Sequence, residues 1–431
     1  MADILPFRAL RYSPRHITQA VTQPYDKISP AMQERYYDAS PYNLVRIILG
    51  RRESGDNTEH NVYTRAAAHF HEWRRQGILR ADSAPSVYAY RQQFTVPGTN
   101  VRSERLGFIA IGRLEDYSAQ VVYRHEQTLA KPKADRLDLL RATRAHFGQL
   151  FMLYEDSGEI DSLVSGAATA TPTIEVTDEY GVVHRVWQVS DAALIDSLRS
   201  KMRDKKLIIA DGHHRYETAL NYRNECRAAA SGNSKDAAHE FAMMTFVNMN
   251  SPGLLVLPTH RVVHGLPSLS ADDFENSSRE FFQVEEIDSS LDAARATGIL
   301  REKGLNGIVL LAVAANRAFL LQNPQPGGQL LAGLSERQQA LDVVQLHKRL
   351  LEGVLKLSEE SIRNQQNISY VRDAADALAQ VRNGSANIAF LMNSCRVQQV
   401  RDIAFAGEVM PQKSTDFYPK LLSGLTIYAL D

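Results

Sequence analysis

A run of polar residues that could bind phosphate stands at the end of a short apolar stretch, 206–210. It comprises Asp211, Gly212, His213, His214 and Arg215. The pattern predicts a strand that delivers Asp211 to a turn, with a helix behind it over about 216–230. The first N–H groups of a helix lack partners within it and attract phosphate, and Arg215 can clamp one through two hydrogen bonds. Asp211 can hold Mg²⁺ or polarise a hydroxyl. The alternative is an aspartate cap with histidines exposed on a helix.

A second polar group follows the apolar residues Val121 and Val122. It begins with His125 and Glu126 and continues with three cations, Lys131, Lys133 and Arg136. Glu126 is a candidate general base with His125 beside it, and the cations suit a polyphosphate. The alternative is a solvated basic loop before a helix, because charge runs are usually solvated faces.

A third polar run, 409–420, contains Lys413, Ser414 and Thr415, whose side chains suit phosphate. The Gly-x-x-x-x-Gly-Lys-[Ser/Thr] pattern of a P-loop is absent, so a structural role is equally open. Two shorter segments, 24–26 (Pro-Tyr-Asp) and 258–261 (Pro-Thr-His-Arg), predict either a turn or one wall of a pocket.

A metal site needs separate consideration. The candidate ligands are His125, Glu126, Asp211, His213 and His214. No His-Glu-x-x-His occurs, and adjacent histidines on a helix point in different directions, so we do not expect zinc. Mg²⁺ at Asp211 is the metal we expect.

Strands alternating with helices predict an α/β (α+β) protein. The pattern over 284–322 indicates β-α-β-β, and helices are expected over 135–146 and 340–357. We predict three regions: 1–250 with the phosphate-binding core, 251–385 with the β-α-β-β and helical part, and 386–431 as a segment that returns to the site.

The composition excludes several classes of protein. The 431 residues carry 49 Lys and Arg against 50 Asp and Glu, which gives no support for nucleic-acid binding. Two cysteines exclude a disulfide framework, and Cys226 is expected to pack. No apolar run approaches the roughly 20 residues that span a membrane. We expect a cytoplasmic protein that acts on a small molecule, without nucleic-acid or membrane partners, for which a homodimer stays open.

Several of these motifs together resemble a widespread bacterial and archaeal family of unknown function, marked by an Asp-Gly-His-His-Arg signature. The resemblance covers nearly the whole chain. The matching segments are 24–26, 125–128, 133–136, 211–215, 258–261 and 410–420. On this basis the chain is identified as a member of that family.

The 211–215 turn also resembles the phosphate-binding box of the ParB/sulfiredoxin-like fold, in which a Gly-x-x-Arg turn opens a helix. Free-serine kinases of that superfamily carry a similar stretch and use an upstream glutamate as base. The resemblance implies a ParB/sulfiredoxin-like mixed-sheet core, to which this chain adds the C-terminal β-α-β-β region. It also implies that Glu126 is the base and that Asp211 to Arg215 bind the transferred phosphoryl group.

The function we expect is therefore a small-metabolite kinase that makes O-phospho-L-serine from free L-serine, with Mg²⁺. Phosphoryl transfer needs positioning, cations around the phosphate and a carboxylate for the hydroxyl proton, and the chain offers each. No adenine-binding signature is evident, so ATP, ADP and pyrophosphate stay open as donors. Two alternatives remain: a non-catalytic ParB-like nucleotide-binding regulator, and a metal-dependent phosphohydrolase.

Overall fold

The computed structural model describes residues 1–126, 130–230, 234–267, 269–314 and 316–431. Its contacts divide the chain into two units. Unit 1 contains Met1–Arg124, Thr128–Leu255 and Pro419–Asp431, and unit 2 contains His125–Gln127 and Val256–Tyr418. The region boundaries expected from the sequence stay predictions. The last predicted region, 386–431, is shared between the units, because the chain passes from unit 2 to unit 1 after Tyr418.

The described residues form short strands and helices throughout. The strands are β1 (Ile4–Leu5), β2 (Leu10–Tyr12), β3 (Leu79–Ala81), β4 (Val87–Thr95), β5 (Arg102–Arg113), β6 (Val122–Tyr123), β7 (Ala145–His146), β8 (Leu150–Tyr154), β9 (Ile174–Thr177), β10 (Val183–Val189), β11 (Leu207–Asp211), β12 (Phe241–Asn248), β13 (Leu255–Leu257), β14 (His260–Val263), β15 (Gln283–Ile287), β16 (Val309–Ala314), β17 (Arg317–Gln322), β18 (Ile368–Val371), β19 (Ile388–Met392), β20 (Asp416–Tyr418) and β21 (Tyr428–Ala429). The helices are α1 (Ile17–Ala20), α2 (Pro30–Ala39), α3 (Val45–Ile48), α4 (Val62–Arg75), α5 (Ala130–Thr143), α6 (Glu159–Ala167), α7 (Ala192–Met202), α8 (His213–Ala229), α9 (Ala271–Ser278), α10 (Ala293–Lys303), α11 (Glu336–Gln339), α12 (Asp342–Gln345), α13 (Glu359–Arg363), α14 (Ala374–Arg382) and α15 (Val397–Phe405).

Unit 1 is built on a mixed sheet. Its strand order is β6-β11-β8-β12-β5-β4-β10-β9, and β1 pairs with β5. The β6–β11 and β8–β12 pairs are parallel and the other pairs are antiparallel. One core cluster includes side chains of β8, β11 and β12 and the buried Tyr216 and Ala219 of α8. Asp211 therefore lies at the end of a strand whose preceding residues are buried in the core.

Unit 2 is built on an antiparallel sheet in the order β15-β17-β16-β19-β14-β18. Its core contains Val262 of β14 and Leu311 of β16, packed with residues of α10 and α14. The β-α-β-β unit expected over 284–322 is confirmed as β15, α10, β16 and β17. The mixed α/β class expected from the sequence is confirmed by the two sheets and their helices.

Three predicted helix bounds are wrong. Helix α8 begins at His213 rather than near Tyr216, because Gly212 lies in the left-handed region at φ 96° and already serves as its N-cap. The helix expected over 135–146 ends at Thr143, and the next residues pair with β21 as β7. The helix expected over 340–357 is α-helical only in α12 and continues as a π-helix, Leu346–Val354. Among the described residues, no helix is both long and apolar enough to cross a bilayer.

Candidate functional site

The Asp211 turn is shaped by its strand and by a glycine. Strand β11 is buried up to Ala210, and its pairing with β8 is irregular between Ile209 and Asp211. A bulge of this kind re-aims the side chain beside it. A Cβ on Gly212 would lie 3.0 Å from both Arg215 Nη2 and Leu150 Cδ2, so this position needs glycine for space as well as for conformation. The turn brings the first N–H groups of α8 next to Asp211.

Three cations surround the Asp211 carboxylate. Lys420 Nζ donates to Asp211 Oδ2 at 3.0 Å, and Arg215 and Lys27 lie close enough for their charges to act on it. Burial opposes ionisation of Asp211, but the three cations outweigh it and hold its pKa well below the ordinary value. Three positive charges therefore lie near one carboxylate in a partly buried place. Such a place favours an anion.

Arg215 is held in position by main-chain and glycine contacts. Its Nη1 donates to the carbonyl oxygen of Gln149. A Cβ on Gly148 would lie 3.2 Å from the same Nη1. The guanidinium therefore packs directly against the chain that enters β8. The fixed orientation leaves the charge of Arg215 beside the N-terminus of α8, where both features attract phosphate oxygens.

Lys420 is positioned by a fully buried arginine. Arg105 donates through Nη2 to the carbonyl oxygen of Pro419 at 2.5 Å and through Nε to Oε1 of Gln92 at 3.0 Å. Gln92 in turn donates to the carbonyl oxygen of Lys420 at 2.9 Å. Burial lowers the pKa of Arg105 to about 10. The main chain at 419–420 is thus fixed from both sides, and the ammonium of Lys420 is directed to Asp211.

A pocket opens beside Arg215 within unit 1. Its polar lining includes Tyr25, Arg136, His146, Thr218 and Ser423, and its apolar lining includes Ile48, Leu139, Leu140, Phe147 and Leu150. The guanidinium of Arg136 lies 4.2 Å from the ring centroid of Tyr25. Burial lowers the pKa of His146 to about 4, so this imidazole is neutral at pH 7. The segment 24–26 therefore contributes a wall of a pocket, one of the two roles expected for it.

Two other predicted phosphate ligands in unit 1 have carboxylate partners. Lys133 Nζ donates to Glu217 Oε2. Arg136 donates to Asp135 Oδ2 at 3.0 Å through Nε and to the carbonyl oxygen of Ile48 at 2.7 Å through Nη1. Their binding to phosphate stays a prediction, as does that of Lys131, whose side chain lies outside the described residues. His213 is buried and His214 is partly exposed.

Glu126 and His125 lie in unit 2, where Thr415 contacts both. The main-chain N–H and the hydroxyl of Thr415 each lie 3.1 Å from Glu126 Oε1. The same hydroxyl lies 2.8 Å from Nε2 of His125, whose side chain is fully buried. A short parallel bridge joins Glu126 to Met410. The carboxylate is therefore fixed by two donors from one residue, and Thr415 makes a different contact from the phosphate contact that the sequence suggested.

Hydrogen bonds also hold the main chain of the segment that contains Thr415. Arg261 Nη2 donates to the carbonyl oxygens of Gln412 at 3.3 Å and of Lys413 at 3.1 Å. Ser414 Oγ donates to the carbonyl oxygen of Pro411 at 2.5 Å. Phosphate binding by Lys413, Ser414 and Thr415 stays a prediction, because these contacts within unit 2 neither require nor exclude it.

The residues fit Mg²⁺ only in combination with a substrate. Within the described ranges, no group of three or more His, Cys, Asp and Glu side chains could hold a metal. Asp211 supplies one carboxylate, and Mg²⁺ commonly takes one or two carboxylates together with phosphate oxygens and waters. Asp211 is the residue that would hold the ion, and this assignment stays a prediction.

Sequence reasoning missed three residues of the site: Lys27, Arg105 and Lys420. Lys27 directly follows the 24–26 segment and Lys420 closes the 409–420 run, so both stood within segments that the sequence marked. Arg105 is harder to recognise from the sequence, because it is a single cation in a segment whose alternating pattern is typical of a strand. Which carboxylate or carbonyl each one meets depends on chain positions up to 314 residues apart, which the spacing of residues does not reveal.

The chain belongs to a family of unknown function. Residues 4–345 match the family described as protein of unknown function (DUF1015), and the chain is a member of it. This confirms the family membership that the motifs predicted. No curated protein matches the sequence.

Solved structures show a distant likeness. A conserved hypothetical protein from Pyrococcus furiosus is 13% identical, with 71% of this chain and 91% of that chain covered and a TM-score of 0.36. A free serine kinase in complex with AMP is also 13% identical, with 71% and 89% covered and a TM-score of 0.37. SbnI with a C-terminal truncation, from Staphylococcus aureus, is 8% identical, with 74% and 87% covered and a TM-score of 0.35. Likeness at this level assigns no function.

Proposed function

We propose that this protein is a phosphotransferase that moves a phosphoryl group to the hydroxyl of a small metabolite, with free L-serine as acceptor and O-phospho-L-serine as product. The observation that carries the proposal is the group of Lys27, Arg215 and Lys420 around Asp211 at the N-terminus of α8. Fixed positive charges at the N-terminus of a helix are suited to a phosphoryl group in transfer.

The chemistry assigns one role to each group. Glu126 accepts the proton of the acceptor hydroxyl as its oxygen bonds to phosphorus, and the phosphorus–oxygen bond to the leaving group breaks. Arg215 and Lys420 offset the negative charge on the transferred phosphoryl oxygens and on the leaving phosphate. Mg²⁺, when bound with the donor, would neutralise further phosphate charge. ATP, ADP and pyrophosphate are the donors to compare.

Two substitutions test the roles separately. Glu126→Gln keeps the size of the side chain but cannot accept the proton, so we expect turnover to fall by about 10²–10⁴-fold with unchanged donor binding. Arg215→Ala removes a cation from the phosphate site, so we expect donor affinity to fall by about 2–5 kcal/mol. Calorimetry measures donor binding, and product formation measures turnover. Full turnover in Glu126→Gln would remove Glu126 as the base.

The comparison of the two variants also separates the alternative functions. A nucleotide-binding regulator would bind the donor in the wild type and in Glu126→Gln with no turnover in either. A phosphohydrolase would release orthophosphate without needing the acceptor. Unchanged donor affinity in Arg215→Ala would contradict the phosphate site on which the proposal rests.

A further inference from the structure

A network of three buried polar side chains lies in unit 1. Asp178 directly follows β9, His184 belongs to β10 and Tyr90 belongs to β4. The imidazole of His184 joins the other two, with Nε2 at 3.3 Å from Asp178 Oδ2 and Nδ1 at 2.7 Å from the Tyr90 hydroxyl. All three side chains are buried. Such a network fixes one arrangement of its members, because each lost hydrogen bond would leave a buried polar group without a partner.

The direction of the hydrogen bonds follows from the charges of the members. Burial opposes ionisation of Asp178, but hydrogen bonds from His184 and from the main-chain N–H groups of Val182 and Tyr180 outweigh it and hold its pKa below the ordinary value. Burial lowers the pKa of His184, so its ring is neutral at pH 7. Nε2–H therefore donates to the carboxylate, and Nδ1 accepts the hydroxyl proton of Tyr90.

This network holds residues 419–423, here called the tail segment. The hydroxyl of Tyr90 accepts a hydrogen bond from the main-chain N–H of Leu422. Gln92 lies two positions further along β4, on the same face of the sheet. Its Nε2 donates to the carbonyl oxygen of Lys420 at 2.9 Å and lies 3.4 Å from Nδ1 of His184. Two side chains of the network's strand therefore hold the main chain at and just after Lys420.

The same carboxylate also holds residues 22–27, here called the turn segment. Gln23 Nε2 donates to Asp178 Oδ2 at 3.0 Å. Lys27 is the last residue of the short 3-10 helix that follows Gln23 in this segment. The turn segment also pairs with the tail segment, because Thr22 and Ser423 exchange main-chain hydrogen bonds of 3.2 and 2.8 Å. The segments that carry the two lysines of the phosphate site are therefore joined to each other and to one buried network.

We propose that Asp178, His184 and Tyr90 are positioning residues of the phosphate site: their hydrogen bonds fix the turn segment and the tail segment, and so hold the ammonium groups of Lys27 and Lys420 in place. This rests on the proposed function, because it assigns the network to the binding of the donor phosphates. The three residues act through the main chain of the two segments. A lysine has a long and flexible stem, so a fixed main chain lowers the entropy that its ammonium group loses on binding phosphate.

The first test is Tyr90→Phe in the full-length protein, with Tyr88→Phe as the matched control. Tyr88 is a buried tyrosine on the same face of β4, and its hydroxyl accepts from the main-chain N–H of Ala9 at 3.0 Å and donates to Asp82 at 2.6 Å. The two variants lose bonds of the same kind, so we expect a similar fall in Tm. Only Tyr90→Phe is expected to weaken the binding of Mg²⁺-pyrophosphate or Mg²⁺-ADP, by about fivefold, the effect of one hydrogen bond.

Calorimetry at a temperature where all proteins are folded measures this affinity. A purely structural role of the network would lower Tm in both variants and leave both affinities at the wild-type value, and that result would overturn the proposal. In the transfer reaction, the donor KM is expected to rise in Tyr90→Phe while the KM for L-serine stays the same. An equal rise of both KM values would also overturn it.

Gln23→Met tests the turn segment from its own side. Methionine keeps the length of the side chain but removes the hydrogen bond to Asp178. We expect a loss of affinity for Mg²⁺-pyrophosphate or Mg²⁺-ADP similar to that of Tyr90→Phe. An unchanged affinity would overturn the part of the proposal that concerns Lys27.

The binding measurements separate this inference from the proposed function. If the wild type binds either probe and Tyr90→Phe weakens that binding, the positioning role stands even where no phosphoryl transfer is found. If phosphoryl transfer occurs with the same donor KM in the wild type and in Tyr90→Phe, the positioning role is wrong and the phosphotransferase stands. Absence of binding of both probes to the wild type would overturn the positioning role.

Discussion

Lys420 Nζ and Asp211 Oδ2 form a hydrogen-bonded ion pair at 3.0 Å between residues 209 positions apart in the sequence. The pair joins the tail of the chain to the end of β11. Two of the fully buried arginines fix the polar run 409–420, since Arg261 binds the carbonyls of 412 and 413 in unit 2 and Arg105 binds that of 419 in unit 1. The tail run therefore positions one acidic residue in each unit: Asp211 through Lys420, and Glu126 through Thr415.

Lys420→Met is expected to lower the free energy of unfolding at pH 7 by about 3 kcal/mol, because it leaves Asp211 with less counter-charge. The pKa of Asp211 is depressed in the folded protein, so its contribution to stability is present above its unfolded pKa and is lost as the pH falls. The variant has already lost part of that contribution. Urea unfolding between pH 7 and pH 3 should therefore show a shallower pH dependence than in the wild type.

Lys235→Met is the control for this prediction, since Lys235 is an exposed lysine in the same unit. It should retain the stability and pH dependence of the wild type. If the two variants had the same free energy of unfolding and the same pH dependence, the ion pair of Lys420 with Asp211 would not contribute to stability as predicted.

Thr415→Val is expected to disturb the candidate base without unfolding unit 2. The valine keeps the shape of threonine and the main-chain donor but removes the hydroxyl 3.1 Å from Glu126 Oε1. The loss removes one of the two donors that hold the carboxylate in position, so kcat/KM for the proposed transfer is expected to fall. Thr415→Ser retains the hydroxyl and should behave as the wild type. An unchanged kcat/KM in Thr415→Val would mean that this contact does not serve catalysis.

Gly148→Ala tests the packing that orients Arg215. The added Cβ would lie 3.1 Å from Ser423 Oγ and 3.2 Å from Arg215 Nη1, so the guanidinium must shift by a few tenths of an ångström. We expect pyrophosphate affinity, measured by calorimetry, to fall several-fold. Gly166→Ala is the control, because nothing lies within 4 Å of its added Cβ in α6. It should leave affinity unchanged and raise stability by about 0.5–1 kcal/mol. Equal affinities in the two variants would contradict the role of Gly148.

Asp342→Asn is expected to stabilise the protein at high pH. Burial raises the pKa of Asp342 to about 7, against a partial opposing effect of Arg396. Because the folded pKa is raised, stability is greatest below the unfolded pKa and falls as the pH rises through about 7. The asparagine avoids this loss, so its gain in unfolding free energy should grow between pH 5 and pH 8 by on the order of 2 kcal/mol. A gain that is equal at both pH values would contradict a buried neutral carboxyl.

The local part of the Asp211 site could be predicted from the sequence. An apolar strand, a glycine and a polar helix start follow one another along the chain, so their chemistry and their geometry are both local. The pattern predicts the start of α8 three residues late, because it does not reveal Gly212 as the N-cap. It predicts an α-helix over 340–357, because apolar spacing does not distinguish a π-helix from an α-helix.

The partners of the site residues could not be predicted in the same way. The side chains of Thr415 and Lys413 suit phosphate, but the contacts of these residues with Glu126 and Arg261 join positions more than 150 residues apart. Composition and spacing likewise could not predict that the tail is divided between two units, because the division depends on contacts with distant parts of the chain.

The most direct test of the central claim is phosphorus NMR of the purified protein with Mg²⁺ and L-serine, with ATP, ADP or pyrophosphate in separate tubes. The account predicts a new phosphomonoester signal in at least one tube, identical to that of O-phospho-L-serine and lost in both Glu126→Gln and Arg215→Ala. Release of orthophosphate without that signal, or no change in any tube, would contradict it.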